Sequence, residues 1–360
     1  YILDNVAEYK TMLKNRYINN ELIDNIQTIH YEYTGELIKL EKCRQLKNII
    51  SNEINNKKKD KSAKSTDIDN DFIELHTKNF DPEQLVLIDY SACSKNTLIK
   101  FGQLLKQRTD VYDISTKNLL ISRNNLVNKV PNLLNAHVPI DNNEDNNDIV
   151  CETEIGHKFS EENIANRNQF DICEKLEIIE HAGQIAGNRG YFLVNEGVRL
   201  NHALISYALD FMRENEYKLM STPHFIRKEM IEQISQLSEF DETLYKLENS
   251  DMYLIATSEQ PLTAYFQNKK VDSLPVKICG LSTCYRKEAG NHGVDTSGIF
   301  RVHQFEKVEQ FCVTSPEKST RMLREMCGLS EIFLSSLGLS HRVVNIVSGA
   351  LNNAASIKYD

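Results

Sequence analysis

Two long stretches in the first part of the chain repeat their apolar positions with the period of an α-helix. Residues 20–58 place apolar or aromatic side chains three or four positions apart, or a multiple of these, at Ile26, Tyr33, Leu37, Leu40, Leu46, Ile50 and Ile54. Residues 95–130 do the same, at Leu98, Phe101, Leu105, Val111 and Ile114. The polar connection between the two stretches predicts an antiparallel hairpin of two long helices.

A second pattern begins after the polar, turn-rich stretch 138–148. One more amphipathic helix is predicted there, by apolar positions at Leu200, Ala203, Leu204, Tyr207, Ala208 and Phe211. We therefore divide the chain into a helical arm at 1–137, a linker at 138–149 and a second domain at 150–360. Residues 67–84 match no pattern and are interpreted as an elaboration of the arm tip.

Residues 279–312 predict two strands joined by a loop that contains Gly290, Gly293 and Gly298. Alternating side chains point to opposite faces of a strand. One face then carries charged and aromatic side chains, at Arg286 and Glu288 on the first strand and at Arg301, His303, Phe305, Lys307 and Glu309 on the second. Such a face is either an exposed surface with cross-strand ion pairs or a chemical site, and the charges alone favour neither.

Composition narrows the possible classes of protein. The chain has 360 residues, enough for two domains, and a net charge of −9, which argues against nucleic-acid binding over its whole surface. No run of about 18 apolar residues predicts a membrane span. The eight cysteines lack metal-site spacing and suggest free thiols in a reducing compartment. The first residue is Tyr1 rather than Met, so we expect the natural start, with any targeting segment, to lie upstream.

Four segments together resemble class II aminoacyl-tRNA synthetases, and within them the seryl-tRNA synthetases of the eukaryotic cytosol. The segments are CYRKEAG (284–290) and GIFRVHQFEKVEQF (298–311), which resemble motif 2, with LIATSEQPLTAYF (254–266) and VNIVSGALNNAAS (344–356). The resemblance implies an α+β fold, with an N-terminal coiled-coil arm followed by a class II core on an antiparallel β-sheet flanked by helices. It implies a cytoplasmic enzyme that activates serine with ATP and Mg²⁺ and transfers it to tRNA(Ser).

The resemblance also implies roles for individual residues. Arg286 is the expected catalytic residue, bridging the serine carboxylate and the α-phosphate. The expected ATP-binding residues are Arg286, Lys287, Glu288, Val302 through its backbone, and Phe305 as the ring that stacks on adenine. The expected serine-binding residues are Thr257, Ser258 and Glu259, placed on a short strand, and Glu309. We expect the substrate ammonium to be the partner of the buried Glu309 carboxylate. No zinc is expected, and no metal site within this chain.

The arm and one helix of the core are the expected binding surfaces for the partners of this chain. The basic run is interpreted as phosphate contacts to tRNA, at Lys57, Lys58, Lys59, Lys61 and Lys64. A solvated helix end is the alternative. The helix, strand and proline over 198–225 resemble motif 1, which implies a homodimer. The periodicity of that helix is equally typical of an ordinary core helix.

Two departures from the family pattern bear on these expectations. The motif 2 loop reads GVDTSG, with Val294 and Ser297 where many relatives carry positive charge, so tRNA contacts there are in doubt. The sequence stops at SIKYD, before the family's metal-binding residues and motif 3, so we expect residues 1–360 alone to be incomplete for activity.

Two other functions are compatible with parts of the sequence. The first is an inactive paralogue that acts as an RNA-binding or regulatory module. The intact site residues count against it. The second is a carrier-protein aminoacyl ligase without a tRNA arm, and the long hairpin counts against that.

Overall fold

The computed structural model describes residues 1–59, 67–78, 80–156, 169–234, 243–288 and 299–360. The chain divides into two compact units. One comprises residues 1–143 and 347–356, and the other comprises 144–346 and 357–360. The functional boundaries predicted from the sequence stay a prediction. In these ranges no helix combines the length and the apolar character that crossing a lipid bilayer requires.

The first unit contains the two long helices. Its helices are α1 (Val6–Asn15), α2 (Glu21–Lys59), α3 (Asn70–Lys78), α4 (Pro82–Leu85) and α5 (Lys95–Val127). Helix α5 begins where Ser94 accepts a hydrogen bond from the Thr97 N–H, which satisfies one of the free donors of the first turn. The helices predicted over 20–58 and 95–130 are therefore confirmed to within a few residues.

The outer part of the arm has a core of its own. Apolar side chains of α2 and α5 are buried together with two from the connection between them, at Cys43, Leu46, Ile50, Leu85, Tyr90, Leu98, Phe101 and Leu105. The Phe72 ring of α3 lies 5.8 Å from the Phe101 ring in an edge-on contact. Described residues of the 67–84 segment thus fold against the arm and cover its apolar side chains.

A second cluster closes the base of the arm. It buries Leu13 of α1 against Ile23 and Ile26 of α2. Next to it, the guanidinium of Arg16, only 3% exposed, donates to the backbone carbonyls of Asn132 (2.9 Å), Asn352 (3.1 Å) and Ala355. The Ser348 hydroxyl donates to the Asn15 carbonyl at 2.6 Å. Segment 347–356 is thereby fastened to the first helix of the chain.

The second unit is built from short strand pairs and one three-stranded sheet. Its strands are β1 (Asp148–Thr153), β2 (Ile179–His181), β3 (Tyr191–Leu193), β4 (Lys218–Ser221), β5 (Phe225–Arg227), β6 (Met252–Leu254), β7 (Val276–Tyr285), β8 (Gln304–Val313) and β9 (His341–Asn345). Its helices are α6 (Gln169–Lys175), α7 (Gly183–Ala186), α8 (Glu196–Glu214), α9 (Lys228–Ile234), α10 (Glu259–Phe266) and α11 (Ser319–Ser336).

The three-stranded sheet has the order β4-β7-β8. Strands β7 and β8 are antiparallel, as predicted, and β4 joins β7 in parallel. A parallel neighbour requires a long crossover, which the chain between β4 and β7 provides. The pairs β1–β9, β2–β3 and β5–β6 are antiparallel.

Helix α8 confirms the predicted amphipathic helix, but much of its apolar stripe lies open. Val198, Leu200 and Leu204 are 39%, 64% and 45% exposed. Met212, near the end of the helix, is buried against Tyr217 and Cys279. An exposed row of large apolar side chains is typical of a surface that another protein covers.

Candidate active site

The predicted hairpin is confirmed as β7 and β8, which pair in unbroken register from Val276–Val313 to Tyr285–Gln304. The prediction of which side chains share a strand face holds only for the paired residues 276–285 and 304–313. Strand β7 ends before Arg286, and Glu288 has a φ of +51°, a left-handed conformation that leaves the strand path. Strict alternation was therefore the wrong prediction for 286–288 and 301–303. Their side chains are brought together by irregular backbone instead.

Arg286 and Phe305 meet at the open end of the hairpin. The Arg286 guanidinium carbon lies 5.0 Å from the centre of the Phe305 ring, within the range of a cation–π interaction. The Arg286 N–H donates to the His303 carbonyl at 3.0 Å, which extends the strand pairing by one step. A fixed guanidinium beside an aromatic ring can hold an anion next to a flat heterocycle.

Glu288 forms ion pairs with two arginines. Its carboxylate lies 3.4 Å from Arg301 and 3.8 Å from Arg189, and the side chains of Glu288 and Arg189 are both largely buried. Sequence reasoning missed Arg189, which lies in the short loop between α7 and β3. No local pattern links a residue there to the hairpin, so only the folded chain reveals the contact.

The Glu309 carboxylate forms the second centre of the site. It accepts hydrogen bonds from the Thr257 hydroxyl (2.7 and 2.8 Å), the Ser258 hydroxyl and the Glu259 N–H (3.1 Å). The Lys307 ammonium lies 2.6 Å from the Glu309 carboxylate and 2.9 Å from the Thr257 hydroxyl. The structure thus brings the other three predicted serine-binding residues to the Glu309 carboxylate, Thr257 and Ser258 through their hydroxyl groups and Glu259 through its backbone.

Lys307 corrects one argument made from the sequence. Burial raises the pKa of Glu309, but the charge of Lys307 and the hydrogen bonds from Lys307, Ser258 and Thr257 outweigh it, so the pKa lies below its ordinary value. The carboxylate therefore has a cation of its own and does not depend on a substrate ammonium for a partner. Its assignment to serine binding stays a prediction.

The predicted short strand at 257–259 is wrong. Strand β6 ends at Leu254, Thr257 lies in a loop, and Glu259 is the first residue of α10. Proline in the first turn of a helix loses no hydrogen bond, and Pro261 occupies that turn. The helix start presents the Glu259 N–H to Glu309, and the Glu259 side chain is exposed.

Gly280 makes the close approach of Ser258 possible. It pairs with Glu309 across the hairpin, and a Cβ at this position would collide with the Ser258 hydroxyl oxygen. We expect Gly280→Ala to lower the free energy of unfolding by about 1–3 kcal/mol, because Ser258 is fully buried and has little room to shift. Chemical denaturation measures this.

Gly328 offers the matched control. It lies inside α11, and nothing stands within 4 Å of the Cβ it would gain. Gly328→Ala should raise stability by about 0.5–1 kcal/mol through helix propensity. Equal effects of the two substitutions would contradict the collision at Gly280.

The contacts given for the remaining predicted site residues do not involve the two centres of the site. The Lys287 N–H donates to the Thr243 carbonyl at 3.0 Å, and Val302 is buried, which suits a contact through its backbone only. Lys57 bonds the Ser91 carbonyl and lies 3.6 Å from Glu53, so the arm itself engages its ammonium.

Lys58 is exposed near the end of α2. The Lys59 side chain, Lys61, Lys64 and the loop with Val294 and Ser297 lie outside the described residues. Among the residues that are described, no three His, Cys, Asp or Glu side chains gather as a metal site would require.

The segment that contains the hairpin matches one class of known proteins. Residues 243–360 match the profile of the "tRNA synthetase class II core domain (G, H, P, S and T)". This segment contains the hairpin and both centres of the site. It defines the core as that of a class II aminoacyl-tRNA synthetase.

Individual relatives narrow the class. The "Serine--tRNA ligase, cytoplasmic" of Dictyostelium discoideum is 46% identical over 257 residues, 69% of this chain and 55% of that protein. The "Serine--tRNA ligase, cytoplasmic" of Danio rerio is 38% identical over 366 residues, covering 96% of this chain and 69% of that protein. The crystal structure of the cytoplasmic enzyme from Naegleria fowleri in complex with AMP has a TM-score of 0.84 at 38% identity, covering 99% of this chain and 78% of that one.

The chain belongs to the serine–tRNA ligase family, as the sequence resemblance predicted. The expected α+β fold, with its helical arm and class II core, is confirmed with it. The chain spans only 55% and 69% of the length of the two curated relatives described above.

Proposed function

We propose that this chain contributes to serine–tRNA ligase activity, in which seryl-adenylate is formed from serine and ATP and the seryl group passes to tRNA(Ser) in the cytoplasm. The observation that carries the proposal is the pairing of two centres on one hairpin. Arg286 lies over Phe305, and a few residues along the same strand Glu309 gathers Thr257, Ser258 and Lys307.

The first centre suits the nucleotide. Phe305 offers a ring on which adenine can stack, and Glu288 offers a carboxylate acceptor for its amino group. ATP enters as its magnesium complex, which is a substrate here. Activation brings the serine carboxylate against the α-phosphate, and the repulsion between the two anions opposes the step. The planar fork of Arg286 can donate to both anions and stabilise the charge that develops between them.

The second centre suits the amino acid. The surroundings of Glu309 favour its ionised form, which attracts an ammonium group. The hydroxyl groups of Thr257 and Ser258 fix the orientation of the Glu309 carboxylate. Polar groups arranged for a substrate hydroxyl are left unpaired by an analogue that lacks it. We therefore propose that the site selects serine over alanine.

The arm is the proposed tRNA contact. Its two long helices present a narrow, extended surface, and phosphate contacts from its cations would recognise the shape of RNA rather than its bases. The intramolecular bonds of Lys57 make it a weaker candidate than the exposed Lys58.

The exposed stripe of α8 supports the proposed homodimer. Leu200 and Leu204 lie one turn apart, so a charged side chain at Leu204 would be buried in such an interface without a partner. We expect Leu204→Glu to shift the protein from dimer to monomer in sedimentation velocity. Ile149→Glu, at an exposed apolar residue of β1, is the control and should leave the dimer intact. A wild-type monomer at micromolar concentration would refute the interface.

One pair of assays tests the proposed function. Assayed as the full-length natural protein, because residues 1–360 alone are expected to be incomplete, it should catalyse serine-dependent ATP–pyrophosphate exchange and attach serine to tRNA(Ser). An RNA-binding paralogue would bind tRNA and catalyse neither reaction. A carrier-protein ligase would catalyse exchange without charging tRNA. Either of these results from folded protein would overturn the proposal.

A further inference from the structure

Lys307 lies inside the proposed serine site, but nothing in the reaction so far requires it. Its ammonium is within hydrogen-bond distance of the Glu309 carboxylate and the Thr257 hydroxyl, at 2.6 and 2.9 Å. These acceptors are the ones expected to receive the substrate ammonium. The Lys307 ammonium therefore contacts the same acceptors that a bound amino acid would use.

The strand fixes this contact. Lys307 and Glu309 are two residues apart on β8 and share a face, opposite Ser282 and Gly280 of β7. Gly280 leaves room for Ser258, whose hydroxyl holds Oε1 of Glu309 while Lys307 holds Oε2. The two carboxylate oxygens are therefore held from different sides.

We propose that Lys307 is a positioning residue, which holds the Glu309 carboxylate and the Thr257 hydroxyl in the arrangement that receives the substrate ammonium. The inference rests on the proposed function. A lysine ammonium can only donate, so the Thr257 oxygen accepts from Lys307. The Thr257 hydrogen is then directed at Glu309, and the carboxylate is fixed in orientation before the substrate arrives.

Lys307 is also the cation that counteracts burial at Glu309. Strand β7 places the thiol of Cys284 on the same face as Glu309, and burial raises the pKa of this thiol. Cys279 points to the other face, where it packs against Met212 and Tyr217. The loop before α10 contributes hydroxyl groups and a backbone N–H, since the Glu259 carboxylate is exposed. Helices α8 and α11 line the neighbouring cavity with apolar side chains and Ser330.

The sign of the pH effect follows from this arrangement. Without Lys307, burial acts on Glu309 with less opposition and its pKa rises. Glu309 must be ionised to bind an ammonium. A variant without Lys307 therefore loses serine affinity as the pH falls through the raised pKa. The wild type keeps its affinity to lower pH.

The test compares Lys307→Gln with wild type, both as the full-length natural protein, in serine-dependent ATP–pyrophosphate exchange at pH 6 and pH 7.5. We expect the serine KM of the variant to rise severalfold at pH 6, where the raised pKa of Glu309 leaves part of the carboxyl protonated, and clearly less at pH 7.5. The ATP KM should stay unchanged. Lys307→Arg should restore most of the serine affinity. Lys307→Met, of similar length, should repeat the loss if Lys307→Gln folds poorly.

Lys277→Gln is the matched control. Lys277 lies on the same hairpin and pairs with Glu325 on α11. It should retain the wild-type serine KM at both pH values. Several results would overturn the inference while the proposed function stands. They are an unchanged serine KM in Lys307→Gln, a lower one, which would make Lys307 a competitor of the substrate, and a rise equal at both pH values. Wild-type protein without serine-dependent exchange would instead overturn the proposed function, and the inference with it.

Discussion

Replacing Arg286 by alanine is expected to lower serine-dependent ATP–pyrophosphate exchange by about 100-fold or more. The side chain lies over Phe305 and is the described cation best placed to bridge the serine carboxylate and the α-phosphate. Loss of one preorganised donor to a developing charge costs about 3 kcal/mol or more in transition-state stabilisation. The effect should fall on kcat, because the interaction is strongest in the transition state.

Two variants make this result specific. Arg286→Lys keeps the charge but loses the planar fork, so it should recover only a minor part of the rate. Arg342→Ala removes an exposed arginine of β9, whose partner is Glu152 at 3.7 Å, and should leave exchange unchanged. Exchange by Arg286→Ala at nearly the wild-type rate would remove Arg286 from the mechanism.

Shortening the arm is expected to abolish tRNA charging and to spare adenylate formation. The shortened protein lacks residues 41–115, and a short glycine-containing turn joins Leu40 of α2 to Thr116 of α5. It removes the outer cluster around Phe101 and leaves the base cluster around Leu13 in place. Affinity for tRNA should fall by about two orders of magnitude or more if the arm supplies several phosphate contacts.

The salt dependence of tRNA affinity distinguishes phosphate contacts from other contributions to binding. Wild-type affinity for tRNA should fall steeply with salt concentration, and the shortened protein should show a shallow slope. Serine-dependent exchange at the wild-type rate is the control that the rest of the chain is folded. A shortened protein that charges tRNA at normal efficiency would refute the role of the arm.

Elements in which the spacing of apolar residues recurs many times could be predicted from the sequence. Helices α2 and α5 show their period over more than 30 residues, so single exceptions do not obscure it. The hairpin was equally clear, because loop glycines separate two long strands. Three residues are too few to show a period, so the sequence of 257–259 does not distinguish a strand from a loop that leads into a helix. Only the structure shows α10 beginning there.

Contacts between distant parts of the chain could not be predicted in the same way. Arg189 approaches Glu288 through a loop whose own sequence gives no reason for the pairing. Glu288 itself has a positive φ, which is uncommon for a residue with a side chain, so alternation failed at that point. Lys307 was placed on the correct face, yet its contact with Thr257 depends on a loop from elsewhere in the chain.

The fastening of segment 347–356 to α1 has a consequence for how the chain folds during synthesis. The outer cluster of the arm lies within residues 43–105, so it can form before the rest of the chain has been synthesised. The bonds from Arg16 to Asn352 and from Ser348 to Asn15 span 336 and 333 residues. They can form only when almost all of these 360 residues have emerged. The end of α1 must therefore wait for its bonds to a segment that is synthesised more than 330 residues later.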